Sequence, residues 1–96
     1  MGSLTEATQK LRGRYAETLP AKWRVVEDAL DALISTQSRG ADEADDTLRR
    51  LAHQVRGSAA SFGFVDIDKC ASRVEHAADR LVLGAAARDF ADALRR

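Results

Sequence analysis

Ninety-six residues, with 15 Lys and Arg against 15 Asp and Glu, make one domain spanning 1–96 with enough chain for one modest core. A formal net charge of zero argues against bulk nucleic-acid binding, which rests on a basic surface. The lone Cys70 excludes an internal disulfide and fits a reducing, cytoplasmic setting, no apolar run reaches the roughly 20 residues of a membrane span, and no signal peptide is visible.

In chain order, Ser3-Leu4-Thr5-Glu6 reads as a capping box with Ser3 as N-cap and Glu6 at N3. The helix it opens runs to about Thr18, with Leu4, Ala7, Leu11 and Tyr15 at helical spacing. Pro20 suits the start of a second helix, capped by Thr18 or Leu19; one helix kinked at Pro20 is the alternative. The second helix extends to about Ser35 on a stripe of Trp23, Val26, Leu30, Leu33 and Ile34. Trp23 is assigned to the core, with docking of a partner as the sharper reading. Gln37-Ser38-Arg39-Gly40-Ala41 is turn-rich. The run Asp42-Glu43-Ala44-Asp45-Asp46 then sets carboxylates at the positive end of the third helix dipole. No metal site is expected there, because the run lacks EF-hand spacing and adjacent helical carboxylates do not face one another.

The third helix, about 42–62, carries the most informative stretch. At about 100° per residue, Leu48, Leu51, Ala52, Val55, Ala59 and Phe62 fall in one stripe roughly 100° wide, the face that a globular helix buries. His53 lies about 140° from the middle of that stripe, among Arg49, Arg50, Gly57 and Ala60, on the water side. A mid-helix Gly57 costs about 0.5–1 kcal/mol relative to Ala. Together with Ala60 it leaves bare backbone beside the imidazole, where another macromolecule can approach. Arg56, three residues after His53, is its helical neighbour and suits a phosphate or carboxylate. An exposed histidine on a charged helix is by default a surface residue, but a solvated face needs neither Gly57 nor Arg56. Ser58, at the core boundary, is expected to bond the backbone of the preceding turn, and Gly63 to take the left-handed cap conformation that ends the helix.

Asp66 is the expected N-cap of a fourth helix, with Ile67, Cys70, Ala71, Val74, Ala78 and Leu81 as its buried stripe. Leu83-Gly84 breaks that pattern. A last helix from about Ala85 turns Ala86, Ala87, Phe90, Ala91 and Leu94 inward. No strand alternation competes. The fold class is therefore all-α: an antiparallel up-down four-helix bundle with an additional N-terminal helix. The helices flanking the Phe62–Asp66 turn form a hairpin within it.

His53-Gln54-Val55-Arg56-Gly57-Ser58-Ala59, followed by Gly63, resembles the active-site signature of histidine phosphotransfer (HPt) domains: a His, an apolar residue two later, then Lys or Arg, Gly, Ser or Ala, and a Gly ending the helix. Many members have Lys where this chain has Arg56; the charge is kept and bidentate geometry gained. The family is built on a four-helix bundle, in agreement with the pattern of apolar residues. The resemblance implies a bacterial-type phosphorelay component with His53 as phosphoacceptor and Arg56 stabilising the transferring phosphoryl group. Arg49, Arg50, Gly57 and Ala60 would face the partner.

A phosphoryl carrier needs a nucleophile that forms a labile bond, and a neutral imidazole nitrogen does this. A carboxylate accepting from Nδ1–H would leave Nε2 for the partner. Glu75, on the edge of the fourth helix's buried stripe, is the candidate for that role, with a solvated surface Glu as the other reading. Some HPt members, notably in chemotaxis kinases, hold the imidazole with a Glu at this spacing, and the resemblance extends that role to Glu75. His76 falls opposite Ile67 and reads as a plain surface residue, and no zinc-ligand spacing is present. The chain has no Gly-rich phosphate loop, so it is expected to be a phosphocarrier without autokinase activity, binding no cofactor itself. The resemblance implies that a partner receiver domain supplies the acceptor Asp and Mg²⁺. Partners would be response-regulator receivers and a hybrid sensor kinase, with no nucleic acid or membrane, and the chain a monomer. The rival reading is an interaction module that binds a receiver or kinase without carrying phosphate.

Overall fold

The computed structural model describes the backbone of residues 2–35 and 39–95 and the side chains of 6–34 and 40–95. Six helices follow one another: α1 (Gly2–Glu17), α2 (Leu19–Ser35), α3 (Arg39–Val55), α4 (Ser58–Ser61), α5 (Val65–Glu75) and α6 (Arg80–Arg95). Among the described residues there is no strand. Helix α2 packs on α3 and α6, and α5 packs on the same two helices, so four helices close a ring around one core. Val26, Leu48, Val55, Val74, Leu83 and Phe90 are its fully buried large side chains. Helix α6 presents Ala86, Ala87, Phe90, Ala91 and Leu94 to it, as the spacing predicts. Alanine is abundant on these buried faces, and small side chains let helices pack closely.

Several predicted boundaries and burials shift. Helix α1 ends at Glu17, and Thr18 turns the chain, its Oγ1 donating to the Tyr15 carbonyl at 2.7 Å. The two-helix reading therefore holds over the single kinked helix, while Leu19 is a buried helical residue instead of a cap. The α1 stripe is not core: Ala7 and Leu11 are exposed. The molecule measures 54 × 22 × 18 Å, much longer than one helix of 16 or 17 residues at 1.5 Å per residue, and only the last turns of α1 rest on the bundle. There Tyr15 stacks on Phe62, with ring centroids 5.1 Å apart, and lies beside Phe64. Helix α1 already includes Gly2 and Ser3, so Ser3 is a helical residue and not the predicted N-cap, and the turn at Gln37-Ser38 lies outside the described residues. Arg39 and Gly40 already belong to α3. On α2, Val26, Ala29 and Leu30 are buried and Trp23 and Leu33 pack partly on the core, whereas Ile34 is exposed. Trp23 Nε1 donates to Glu27.

The fourth predicted helix is shorter than its apolar spacing implies. It starts after Phe64, with Asp66 inside its first turn and not at the cap, and stops at Glu75. Ala78 is exposed and Leu81 is 86% exposed, at the start of the next helix. The cause is Asp79, whose carboxylate accepts from the Val82 N–H at 2.9 Å and caps α6 five residues earlier than predicted. Gly84 lies within α6 and does not break it.

Candidate functional site

The site forms where the end of α3 meets the end of α5. Distances from Gly63, which takes the left-handed conformation at φ +87°, set the hairpin register. Residues roughly equally far before and after it face one another across the antiparallel pair. Arg49 thereby meets Glu75 and Ala77, His53 meets Glu75, and Gly57 meets Asp68.

His53 stands in the last turn of α3 with its side chain 78% exposed. Its Nδ1 is hydrogen-bonded to Glu75 Oε2. Arg56 Nη1 donates to the other carboxylate oxygen, Glu75 Oε1. One carboxylate, only 18% exposed, thus joins the imidazole and the guanidinium. Its pKa is lowered, most by the hydrogen bond from His53; burial opposes this as the next largest effect, and the bond and charge of Arg56 and the charge of His53 lower it further. A carboxylate only accepts, so Nδ1 carries the proton in the neutral ring. Nε2 has no partner among the described residues.

Gly57 corrects the sequence reading. The helix stops at Val55, and Gly57 is not a mid-helix residue: it adopts φ +79°, ψ −55°. The Ser58 N–H donates to the Arg56 carbonyl at 2.9 Å, closing a γ-turn around Gly57, a conformation that is strained for residues with a side chain. The Gly57 N–H donates to Asp68 Oδ1 at 2.8 Å, which replaces the helical bond that the break removes. A Cβ on Gly57 would meet nothing within 4 Å, so the open space beside the site is real although its origin differs. Ala60 is exposed on α4, beyond the break, and does not continue the helical face of His53. Ser58 Oγ bonds the carbonyls of Gln54 and Val55, the backbone of the preceding turn. It also meets the Tyr15 hydroxyl at 3.2 Å, which ties α1 to the turn after the site.

The other predicted residues are placed as follows. Arg50 is exposed and paired with Asp46. Arg49 points into the hairpin: its Nε donates to Asp45 at 2.6 Å and its Nη1 to the carbonyls of Glu75 and Ala77 at 3.2 and 2.9 Å. His76 caps the end of α5 and is exposed, with Nδ1 2.9 Å from the Ser72 carbonyl. Cys70 is half-buried against the core. The three aspartates of the acidic run are held in ion pairs: Arg80 with Asp42 and Asp45, Arg49 with Asp45, and Arg50 with Asp46. Asp45, Asp68 and Tyr15 are the supports that sequence reasoning missed. The register around Gly63 was the available signal for Asp68, and the i,i+4 spacing to Arg49 was the signal for Asp45, whereas Tyr15 depends on how α1 packs.

The arrangement can do one kind of chemistry well. An exposed ring nitrogen is left as nucleophile by a carboxylate that fixes the proton on the other nitrogen, and a guanidinium stands beside it with donors to spare for oxyanions. Among known families, the model of the Hpt domain matches residues 10–96. No curated protein and no solved structure matches the chain. With a match over all but its first nine residues, the chain belongs to the Hpt domain family, the histidine phosphotransfer domains that act in phosphorelays as phosphocarriers and not as kinases.

Proposed function

We propose that this protein relays a phosphoryl group between receiver-domain aspartates through Nε2 of His53. The observation that carries the reading is the hydrogen bond of His53 Nδ1 to Glu75 on an imidazole that is 78% exposed. In the forward step the Nε2 lone pair attacks the phosphorus of an aspartyl phosphate. The N–P bond forms, the P–O bond to the aspartyl oxygen breaks, and the aspartate leaves as carboxylate with the bonding electrons. The ring then bears positive charge with its proton on Nδ1, and the Glu75 carboxylate stabilises it. The return step passes the group to a second aspartate. Arg56 neutralises charge on the equatorial phosphoryl oxygens. The receiver contributes Mg²⁺ and the acceptor or donor aspartate, while this chain binds no cofactor and does not autophosphorylate from ATP. Receivers and a hybrid sensor kinase are its partners, it works as a monomer, and its setting is cytoplasmic.

The test is incubation with a phosphorylated receiver and Mg²⁺, comparing the natural chain with His53→Gln. Acid-labile phosphate on the natural chain alone supports the reading. Binding to several receivers without any transfer would replace it with an interaction module that carries no phosphate.

A further inference from the structure

Glu75 is the last residue of α5. The carbonyls that close a helix have no partner within it, and the last turn frays unless something holds it. In this chain the site carboxylate sits on that weak turn. What holds the turn is Arg49, one helical turn before His53 on α3. Its guanidinium donates to the carbonyl of Glu75 itself at 3.2 Å and to that of Ala77 at 2.9 Å. It is aimed by Asp45, which accepts from Nε at 2.6 Å, and Arg80 of α6 reaches the other oxygen of Asp45 at 3.8 Å. Arg49 and Asp45 are 29% and 22% exposed, far less than the pair Arg50–Asp46 beside them at 70% and 68%. Helix α3 therefore grips Glu75 twice, by its backbone through Arg49 and by its side chain through His53. A cation at the negative end of a helix is also favourable in itself.

We propose that Arg49 is a positioning residue of the phosphotransfer site: it locks the end of α5 against α3 and so keeps the Glu75 carboxylate in register with Nδ1 of His53. This rests on the reading of Glu75 as the group that orients His53. It removes Arg49 from the receiver-docking surface, since three of its hydrogen bonds are spent inside the hairpin. A receiver then meets Arg49 only through what Arg49 does to the imidazole.

The decisive readout is the ¹⁵N spectrum of the His53 ring at about pH 8.5, where an ordinary imidazole is neutral. In the natural chain, the Nδ1 and Nε2 shifts are expected to be well separated, as one tautomer requires. Arg49→Ala is expected to bring them toward the exchange average, cutting the separation by about half, and to slow transfer about tenfold, the scale of a lost support for a site side chain. Receiver affinity is expected to stay within about twofold. Arg49→Lys, which keeps the charge but cannot span Asp45 and both carbonyls, is expected to fall between. Asp45→Asn supplies an independent probe of the same grip, with a smaller change of the same sign, should Arg49→Ala lose helicity.

Glu75→Ala separates the two readings. If it leaves the ring shifts unchanged, Glu75 does not orient His53 and the underlying reading fails. If Glu75→Ala merges the shifts while Arg49→Ala and Asp45→Asn do not, only the role of Arg49 is overturned. Weakened receiver binding by Arg49→Ala with unchanged ring shifts would likewise overturn it and return Arg49 to the docking surface.

Discussion

His53, near the end of α3, and His76, the residue after its partner Glu75, flank the same hairpin contact and share more than they differ. Both are exposed, and both have Nδ1 within hydrogen-bond reach of an oxygen that only accepts: Glu75 Oε2 for His53 and the Ser72 carbonyl at 2.9 Å for His76. Both rings therefore present Nε2 as the basic nitrogen. The difference is charge. His53 leans on a carboxylate that also holds Arg56, whereas His76 leans on a neutral carbonyl of its own helix. On the proposed reading, exposure and tautomer alone do not make a phosphoacceptor: the ring also needs a counter-charge for the cation it becomes and a guanidinium for the group it accepts.

Removing the counter-charge should have the largest effect on that contrast. Glu75→Ala is expected to slow transfer from a phosphorylated receiver on the order of 10²-fold, by loss of both orientation and charge. Glu75→Gln, which keeps an acceptor for Nδ1–H but no charge, should recover part of it, and the ratio of the two rates measures how much is orientation. The same residue predicts a pH dependence. Because the Glu75 pKa is lowered in the fold, its contribution to stability is complete above the unfolded carboxylate value of about 4.3 and is lost as the pH falls through the lowered value. Thermal melts of the natural chain and Glu75→Ala should thus be furthest apart near neutrality and converge in acid. A gap that persists undiminished in acid would mean that the ionised carboxylate is not what stabilises the site.

Next in size is Arg56. Arg56→Ala is expected to reduce transfer about tenfold, as for loss of one charge-assisted contact to the phosphoryl oxygens, with Arg56→Lys retaining most of the rate. Single-turnover transfer from a saturating receiver separates this from weakened docking. Equal loss in both variants would show that Arg56 acts through the geometry of Glu75 and not through its charge.

Gly57→Ala tests the backbone between them. In an uninterrupted helix this change would stabilise the protein by about 0.5–1 kcal/mol. At φ +79° in a γ-turn, with nothing near the added methyl, the cost is purely conformational. A destabilisation of about 1–3 kcal/mol is expected in denaturant melts. The sign alone decides between a broken helix and a continuous one.

That position also shows what periodicity can and cannot reveal. The outward face of His53 and the inward faces of α3 and α6 were legible because 100° spacing over many residues outweighs single exceptions. Leu48, Ala52, Val55 and Ala59 are all buried where their spacing puts them. A glycine inside such a pattern is ambiguous, since helices both tolerate it and end at it. The break at Gly57 depends on Asp68, eleven residues on and across the hairpin, which no local rule sees. Leu81 misled for the opposite reason: seven-residue steps from Ile67 through Val74 reach it, yet Asp79 caps a new helix just before it. The contact of Glu75 with His53 was approachable because both the helix face and the turn at Gly63 were readable. The grip of Arg49 on carbonyls was not, because backbone acceptors leave no mark in a sequence.

The smallest effect belongs to His76 and is the sharpest check on the comparison. His76→Gln should leave the transfer rate unchanged and alter stability by less than about 0.5 kcal/mol, as at an exposed position. Its side-chain hydrogen bond goes to the Ser72 carbonyl, which the His76 backbone N–H already bonds at 3.1 Å, so losing the imidazole leaves no helix-end carbonyl open there. The more telling version uses His53→Gln as background. There His76 is the remaining histidine, still exposed and still with Nδ1 engaged. If tautomer and exposure sufficed, this variant would take up acid-labile phosphate slowly at His76. If the counter-charge and the guanidinium are what matter, it takes up none, because the carboxylate nearest in sequence, Glu75, is turned toward α3 and bonded to Arg56. Phosphate on His76 in that background would show that the charge pair at His53 tunes a rate and does not choose the residue.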